Sequence, residues 1–191
     1  KKHLEGKAAD ASDVIGIYPL LPDGTCRFLV FDFDNHEKDT DKECALNVDE
    51  KWKEEVEALR EICHQNGIDA LTERSRSGRG AHVWILFQSA VDASLARRFG
   101  FALLEKGAES VNLKSFTYYD RMLPAQNHIP EGGKSGKPGL GNLIALPLQG
   151  QALKEGNSAF IDENWNAYPN QWDELFRRQR LSKEFMETCI K

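Results

Sequence analysis

The sequence predicts a protein of the α+β class, in which helices pack on a sheet without a regular alternation of strand and helix. The run Phe-Leu-Val-Phe-Asp-Phe-Asp at residues 28–34 ends in the two-residue alternation of a strand. Segments 48–65 and 93–108 instead carry apolar residues at helical spacing. Strand-like segments 14–20 and 27–33 follow one another with no helix between them, which favours α+β over a parallel α/β order.

The N-terminal strands are predicted to form a hairpin or strand pair. Residues 14–20 and 27–33 are joined by Pro22-Asp23-Gly24, and Pro and Gly supply the backbone angles of a tight turn.

The first long helix is predicted at 48–65, where Trp52, Val56, Leu59 and Ile62 or Cys63 share one face with Val48. Asn66-Gly67 is a fitting stop for it.

The middle of the chain predicts two strands and a helix. Residues 68–72 and 81–87 read as strands on either side of a polar loop, 73–80. Residues 93–108 follow as a helix whose stripe includes Leu95 and Phe99. This helix and the first one are expected to cover the sheet.

The C-terminal part predicts two more strands, 116–120 and 143–148, around a Gly-rich loop at 130–141. A terminal helix is predicted from Gln171 onward. The sequence shows no internal repeat, low-complexity tract or clear linker. One domain over residues 1–191 is therefore expected.

Composition excludes several classes. A chain of 191 residues with 40% hydrophobic content can bury one sizeable core. No stretch approaches the roughly 20 apolar residues of a membrane span. The four cysteines form no Cys-x-x-Cys pair, so neither a zinc knuckle nor a disulfide framework is indicated, and a reducing cytoplasm is expected. The chain begins at Lys1 with no visible signal peptide, which suggests a fragment of a longer protein.

Charge is unevenly distributed. The net charge of −5 argues against nucleic-acid binding by bulk electrostatics alone. Residues 10–57 contain 14 acids and 5 basic residues, whereas Arg74, Arg76 and Arg79 crowd six positions without an acid. A second basic patch is predicted from Lys114, Arg121, Lys134 and Lys137. An acidic site beside basic loops suits a phosphate-bearing ligand.

Asp32 and Asp34 are the strongest candidates for chemistry. Strand alternation directs Phe31 and Phe33 to the core and both carboxylates to the opposite face. Their mutual repulsion favours a shared divalent cation. The alternative is that one aspartate caps the following segment and the other is a solvated strand-end residue.

The loop Ser-Arg-Ser-Gly-Arg-Gly-Ala-His at residues 75–82 predicts a triphosphate cradle. Glycines let backbone N–H groups approach an anion, and arginines neutralise phosphate with forked donors. A solvated surface loop is the alternative. Asp120 ends another strand-like run and is predicted to lie beside Asp32 and Asp34, although a simple ion pair with Arg121 is also possible.

These motifs, in this order, resemble those of the archaeo-eukaryotic primase superfamily: an Asp-x-Asp strand, a Ser-Gly-Arg loop that ends in His82, and a third acid. Within the superfamily the chain is most similar to the primase-polymerase domains of TOTE-type conflict systems and of related CRISPR-associated or mobile-element primases. The similarity rests on Ile-Gly-Ile-Tyr-Pro-Leu at 15–20, Glu-Arg-Ser-Arg-Ser-Gly at 73–78, Tyr-Asp-Arg at 119–121 and Gly-Leu-Gly-Asn-Leu-Ile-Ala-Leu-Pro-Leu-Gln at 139–149.

The resemblance implies a two-lobed catalytic core with an RNA-recognition-motif-like sheet. It implies copying of a single-stranded DNA template, with or without a primer, from ribo- or deoxyribonucleoside triphosphates by a two-metal mechanism with Mg²⁺ or Mn²⁺. The implied metal ligands and catalytic residues are Asp32, Asp34 and Asp120. The implied nucleotide contacts are Arg76, Ser77, Arg79, His82, Asn142 and Gln149. Separately, the basic clusters predict Arg74, Arg121, Lys134 and Lys137 as template contacts. A monomer is the default, with helicase, nuclease or CRISPR components fused or associated outside this segment.

Two other functions stay open at this point. A metal-dependent nuclease or phosphohydrolase also uses clustered acids and a histidine, but it needs a water-activating base and leaves the Ser-Gly-Arg loop unexplained. An inactive nucleotide- or DNA-binding module gains nothing from three carboxylates that face a polyanion. The sequence does not decide between primer initiation and extension, or between ribo- and deoxyribonucleotides.

Overall fold

A four-stranded antiparallel sheet forms the centre of the protein. The structure, a computed structural model, describes residues 1–8, 10, 12–35, 51–110, 116–129 and 139–190. The strands of the central sheet are β2 (Thr25–Asp34), β3 (Leu71–Arg74), β4 (Gly80–Asp92) and β5 (Tyr119–Leu123), in the order β3-β4-β2-β5. A separate two-stranded sheet pairs β1 (Gly16–Ile17) with β6 (Ile144–Ala145).

Helices lie on both sides of the sheet. The helices of the described ranges are α1 (Lys2–Glu5), α2 (Lys51–Gln65), α3 (Ala93–Ser110), α4 (Gly150–Lys154), α5 (Gln171–Arg177) and α6 (Lys183–Cys189). Antiparallel sheets flanked by helices confirm the predicted α+β class. No helix among the described residues is both long and apolar enough to cross a membrane.

The larger core lies between the sheet and helices α2 and α3. Phe31 and Phe33 of β2 are fully buried there, together with Val56 and Leu59 of α2. These two helical residues belong to the stripe that predicted α2, while the predicted start at 48 lies outside the described residues. Helix α3 approaches the sheet so closely at Gly100 that a Cβ there would overlap the sulfur of Met122 and crowd Leu29.

A smaller core lies on the other face of the sheet. Val30 of β2 packs there with Ile144, Leu148 and Phe160, which come from the C-terminal half of the chain. The central sheet is therefore shared by two hydrophobic clusters, one on each face.

The predicted hairpin between the first two strands is wrong. β1 pairs with β6, because both edges of β2 are already occupied, by β4 on one side and by β5 on the other. The predicted turn does form, with Gly24 in a left-handed conformation at φ 78° and its N–H donating to the Leu21 carbonyl.

Other boundaries shift. β3 begins three residues after the predicted strand start and includes Glu73 and Arg74, which were predicted to lie in the loop. β4 extends beyond 81–87 to Asp92. β5 replaces 116–120, and the strand predicted at 143–148 shortens to β6.

The predicted terminal helix begins at Gln171 but divides into α5 and α6. The break has a clear cause, since Leu181 is extended between the two helices. Its N–H donates to the Leu86 carbonyl and its carbonyl accepts from the Gln88 N–H, so the backbone pairs with β4 instead of with its own helix.

Candidate active site

Strand β2 presents its two aspartates on the face opposite the large core, as predicted. Phe31 and Phe33 are 0% exposed against α2 and α3, while Asp32 and Asp34 alternate with them toward the other face. Asp32 is only 7% exposed. A carboxylate this deeply buried needs compensating partners.

Those partners come from a row of charged residues that crosses all four strands. In the sheet register Glu73 of β3 pairs with His82 of β4, His82 with Asp32 of β2, and Asp32 with Arg121 of β5. His82 Nδ1 lies 2.9 Å from Glu73 Oε2 and its Nε2 lies 3.4 Å from Asp32 Oδ1. Arg121 Nε donates to Asp32 Oδ2 at 3.2 Å. We call Glu73, His82, Asp32 and Arg121 the charged row.

The next row on the same face of the sheet consists of aliphatic and aromatic side chains. Leu71 pairs with Trp84, Trp84 with Val30, and Val30 with Leu123, and all four side chains are buried. These residues exclude water from one flank of the charged row. Electrostatic interactions in the row are therefore stronger than they would be in solvent.

Alternation of sign along the charged row stabilises the ionised forms. Burial raises the pKa of Asp32, but the hydrogen bond and charge of His82, together with Arg121, outweigh it and hold this pKa below its usual range. Burial lowers the pKa of His82, whereas the charge of Glu73 and the hydrogen bonds to Asp32 and Glu73 raise it, to about 10. The pKa shifts of Asp32 and His82 therefore favour a carboxylate and an imidazolium side by side at neutral pH.

A β-bulge brings Asp120 to the same place. Phe33 pairs with Tyr119 and Asp32 with Arg121, so Asp120 is the extra residue of β5. Arg121 Nε lies 3.4 Å from Asp120 Oδ2, so one guanidinium links the carboxylates of Asp120 and Asp32. The ion pair given as the alternative is present, and Asp120 and Asp32 share it through Arg121. A cation site formed by Asp32, Asp34 and Asp120 together stays a prediction.

Glu55 of α2 fixes the chain just before this bulge. Its carboxylate, 4% exposed, accepts hydrogen bonds from three successive backbone N–H groups, at 2.5 Å from Thr117, 2.9 Å from Tyr118 and 3.2 Å from Tyr119. The position of Asp120 therefore depends on a residue of a helix on the other side of the sheet.

The Ser-Gly-Arg segment is the turn of the β3–β4 hairpin and lies at the Asp34 end of β2. Ser75 N donates to the Gly80 carbonyl, and Asn35 N donates to the Arg79 carbonyl. Gly80 pairs with Asp34 so closely that a Cβ there would overlap the Phe33 carbonyl oxygen. The turn and the aspartates therefore lie at the same end of the central sheet, where β2 ends and β4 begins.

Within the turn, Arg76 and Ser77 are exposed and Arg79 is partly buried. Ser77 Oγ lies 3.0 Å from Ser75 Oγ and accepts from Arg79 N at 3.3 Å. These two contacts give the hydroxyl a defined position near the end of β2 that carries Asp32 and Asp34. Nucleotide binding by the turn remains a prediction.

Other predicted binding residues lie elsewhere. Arg74 follows Glu73 on β3 and points to the opposite face, where it donates to the carbonyls of Gly156 and Trp165. Gln149 is buried, caps α4 through the Ala152 N–H and donates to Asp13. Both side chains have structural partners, and the structure gives no support to their binding roles, which stay predictions.

Asn142 is exposed just before β6, and its nucleotide contact also stays a prediction. The predicted contacts Lys134 and Lys137, the patch residue Lys114 and most of the Gly-rich loop at 130–141 lie outside the described residues.

Two buried acids, Glu73 and Glu55, were missed by sequence reasoning. A hairpin that pairs Arg74 with Ala81 necessarily pairs Glu73 with His82, so recognition of that hairpin would have found Glu73. No local signal marks Glu55, because its partners are more than sixty residues away in the chain.

The donor set of this region suits a divalent cation. Asp32 and Asp120 converge on one cationic atom, Arg121 Nε, and carboxylate oxygens are the ligands that Mg²⁺ and Mn²⁺ prefer. Among the described residues, no group of three or more His, Cys, Asp or Glu side chains is arranged to hold a metal ion. The residues therefore fit a cation by their chemistry, with Arg121 as their present counter-charge.

Comparison with known proteins gives one finding. The family model described as the archaeo-eukaryotic primase domain of the TOTE conflict system matches residues 1–189. A search of curated proteins finds no significant match.

Proposed function

The chain belongs to the archaeo-eukaryotic primase domain family of TOTE conflict systems, and we propose that it copies a single-stranded DNA template as a nucleotidyltransferase. The family supports a primase-polymerase-like nucleotidyltransferase at the level of the superfamily. The finer proposal is that nucleoside triphosphates are added to a primer 3′-hydroxyl, or joined without a primer.

One observation carries the proposal: the Asp32–Arg121–Asp120 cluster and the Ser-Gly-Arg turn lie at the same end of the central sheet. The turn supplies exposed arginine and hydroxyl donors, and the strands supply the carboxylates. Donors that bind a polyphosphate beside acids that bind cations are the combination that phosphoryl transfer requires.

Asp32, Asp34 and Asp120 would hold two divalent ions, Mg²⁺ or Mn²⁺, which when bound supply Lewis-acid activation of the attacking hydroxyl and neutralisation of phosphate charge. The chain's own groups do the rest of the positioning. Ser77, Arg76 and Arg79 would bind the β- and γ-phosphates through hydroxyl and guanidinium donors. Fixed donors at this end of the sheet need no reorganisation when charge develops on the leaving pyrophosphate.

The charges of the acids and of Arg121 also bear on how a nucleic-acid template would bind. A polyanionic template would be repelled by the acids alone, so basic side chains beside them are needed. Arg121 contacts both Asp32 and Asp120, and its side chain is about half exposed, at 45%. We propose that it faces the template or the triphosphate when cations compensate the carboxylates.

The test is nucleotide incorporation by the purified chain on single-stranded DNA, with and without a primer, in Mg²⁺ or Mn²⁺. We expect template-directed products, and a loss of about 100-fold or more in Asp32→Asn and Asp120→Asn, because each removes a charged ligand. Asp92→Asn is the matched control. Asp92 ends β4 at the far end of the sheet, is 64% exposed and pairs only weakly, at 3.7 Å from Lys183.

Template shortening instead of extension would favour the nuclease or phosphohydrolase alternative. Triphosphate binding without any product, across primed and unprimed templates and both metals, would favour the binding-module alternative. Equal activity in Asp32→Asn, Asp120→Asn and Asp92→Asn would contradict the assigned site.

A further inference from the structure

Glu73 is the most deeply buried member of the charged row, and no role was predicted for it from the sequence. It is 1% exposed, on edge strand β3, and three groups surround its carboxylate. Oε2 accepts from Trp84 Nε1 at 3.0 Å and lies 2.9 Å from His82 Nδ1, while Oε1 accepts from Ser158 Oγ at 3.4 Å. No water is needed to satisfy this carboxylate.

The three contacts fix the carboxylate and, through it, the imidazole of His82. Trp84 and Ser158 hold Glu73 from two directions, so its Oε2 has one position relative to His82 Nδ1. A ring anchored through Nδ1 on the β3 side has its opposite nitrogen directed toward β2, and here Nε2 lies 3.4 Å from Asp32 Oδ1. A carboxylate that accepts from the far nitrogen of a site histidine is a recurring device for setting ring orientation.

We propose that Glu73 is a positioning residue that holds the His82 ring with Nε2 directed at Asp32 and at the incoming triphosphate. This inference rests on the proposed nucleotidyltransferase function. Glu73 itself touches neither the nucleotide nor the acids of β2 and β5. It acts on the reaction only through His82, and its removal leaves the ring able to rotate away from Asp32.

Three variants test the inference: Glu73→Gln, His82→Gln and the double variant. Glutamine keeps the shape of the side chain, so the fold should persist, but its neutral amide oxygen holds the imidazole N–H more weakly than the Glu73 carboxylate does. We expect kcat/KM for the nucleotide to fall about 10- to 100-fold in Glu73→Gln, as for other outer-shell partners. The KM for the primer–template should not change. The double variant should be no worse than His82→Gln, because Glu73 acts through that ring.

Trp84→Phe is the matched structural control. It removes another hydrogen bond of the same carboxylate and costs buried volume, but leaves the Glu73–His82 contact in place. We expect its melting temperature to fall at least as much as that of Glu73→Gln, with a smaller loss of kcat/KM for the nucleotide. Equal kinetic losses at equal loss of stability would show that Glu73 is merely structural.

A spectroscopic readout separates this inference from the proposed function. In protein with ¹⁵N-labelled histidine, the His82 Nδ1–H proton should resonate far downfield because a carboxylate accepts it, and Glu73→Gln should shift it upfield. If the wild type makes no product, the proposed function fails, and this resonance alone decides the orienting role. An unchanged His82 spectrum, or kinetic losses that multiply in the double variant, would overturn the inference.

Discussion

Removal of the Glu55 carboxylate should destabilise the protein and displace Asp120. Glu55 accepts from the backbone N–H groups of Thr117, Tyr118 and Tyr119 just before the bulge of β5. In Glu55→Ala each N–H loses its acceptor, at a cost of about 1–3 kcal/mol per unsatisfied buried donor. Water replaces part of the lost hydrogen bonding, because the N–H donors are only partly buried.

The expected total for Glu55→Ala is about 3–5 kcal/mol, a large part of the ~5–15 kcal/mol that stabilises a typical domain. Glu55→Gln should cost less, about 1–3 kcal/mol, since one amide oxygen still accepts while the NH₂ group faces donors. The measurement is urea unfolding followed by tryptophan fluorescence. Glu55→Gln covers the case in which the alanine variant does not fold.

The control is Glu61→Ala on the same helix, because Glu61 is exposed and, within the described ranges, bonds only to the side chain of Gln65. It should change stability by no more than about 0.5 kcal/mol. If Glu55→Ala also stays within about 1 kcal/mol of wild type, the anchoring role is refuted. If Glu55→Gln is stable but loses nucleotide incorporation, displacement of Asp120 is the expected cause.

Two further predictions concern packing and thiols. Gly80→Ala should cost about 1–3 kcal/mol in thermal or urea unfolding and reduce activity, because the new Cβ would overlap the Phe33 carbonyl and push β4 away from β2; unchanged stability would show that the strands adapt. Burial, helped at Cys26 by the charge of Asp92, raises the pKa of Cys26 and Cys63 to about 12, so at pH 9 both should remain protonated in the folded protein. Iodoacetamide labelling mapped by mass spectrometry should modify both only on unfolding, and fast labelling of Cys63 in native protein would contradict its burial.

Much of the site could be predicted because strand alternation is a local property. The pattern around Asp32 and Asp34 separates core from site with no knowledge of the neighbouring strands. The Ser-Gly-Arg turn was likewise found where Gly80 is required. The ends of the strands were predicted less well. The strand that became β3 was predicted to end two residues too early, and Glu73 was therefore placed in the loop.

Pairing between distant strands could not be predicted in the same way. The hairpin between β1 and β2 was the local choice, yet two neighbours that arrive later in the chain, β4 and β5, occupy both edges of β2. Gln149 illustrates the same limit at the level of one side chain. The family resemblance implied a nucleotide contact for it, but the start of α4 needed a cap and Asp13 needed a donor.

The charged row explains why these long-range pairings matter to the chemistry. Asp32 is buried enough to be costly as an anion, and its two compensating cations, His82 and Arg121, come from strands on opposite sides of β2. Neither cation is adjacent to it in sequence, and Arg121 reaches it only because a bulge adds one residue to β5. A deletion of one residue within this bulge should therefore turn Arg121 or Asp120 away from Asp32. The order of the strands, more than any single motif, brings Asp32, His82 and Arg121 together.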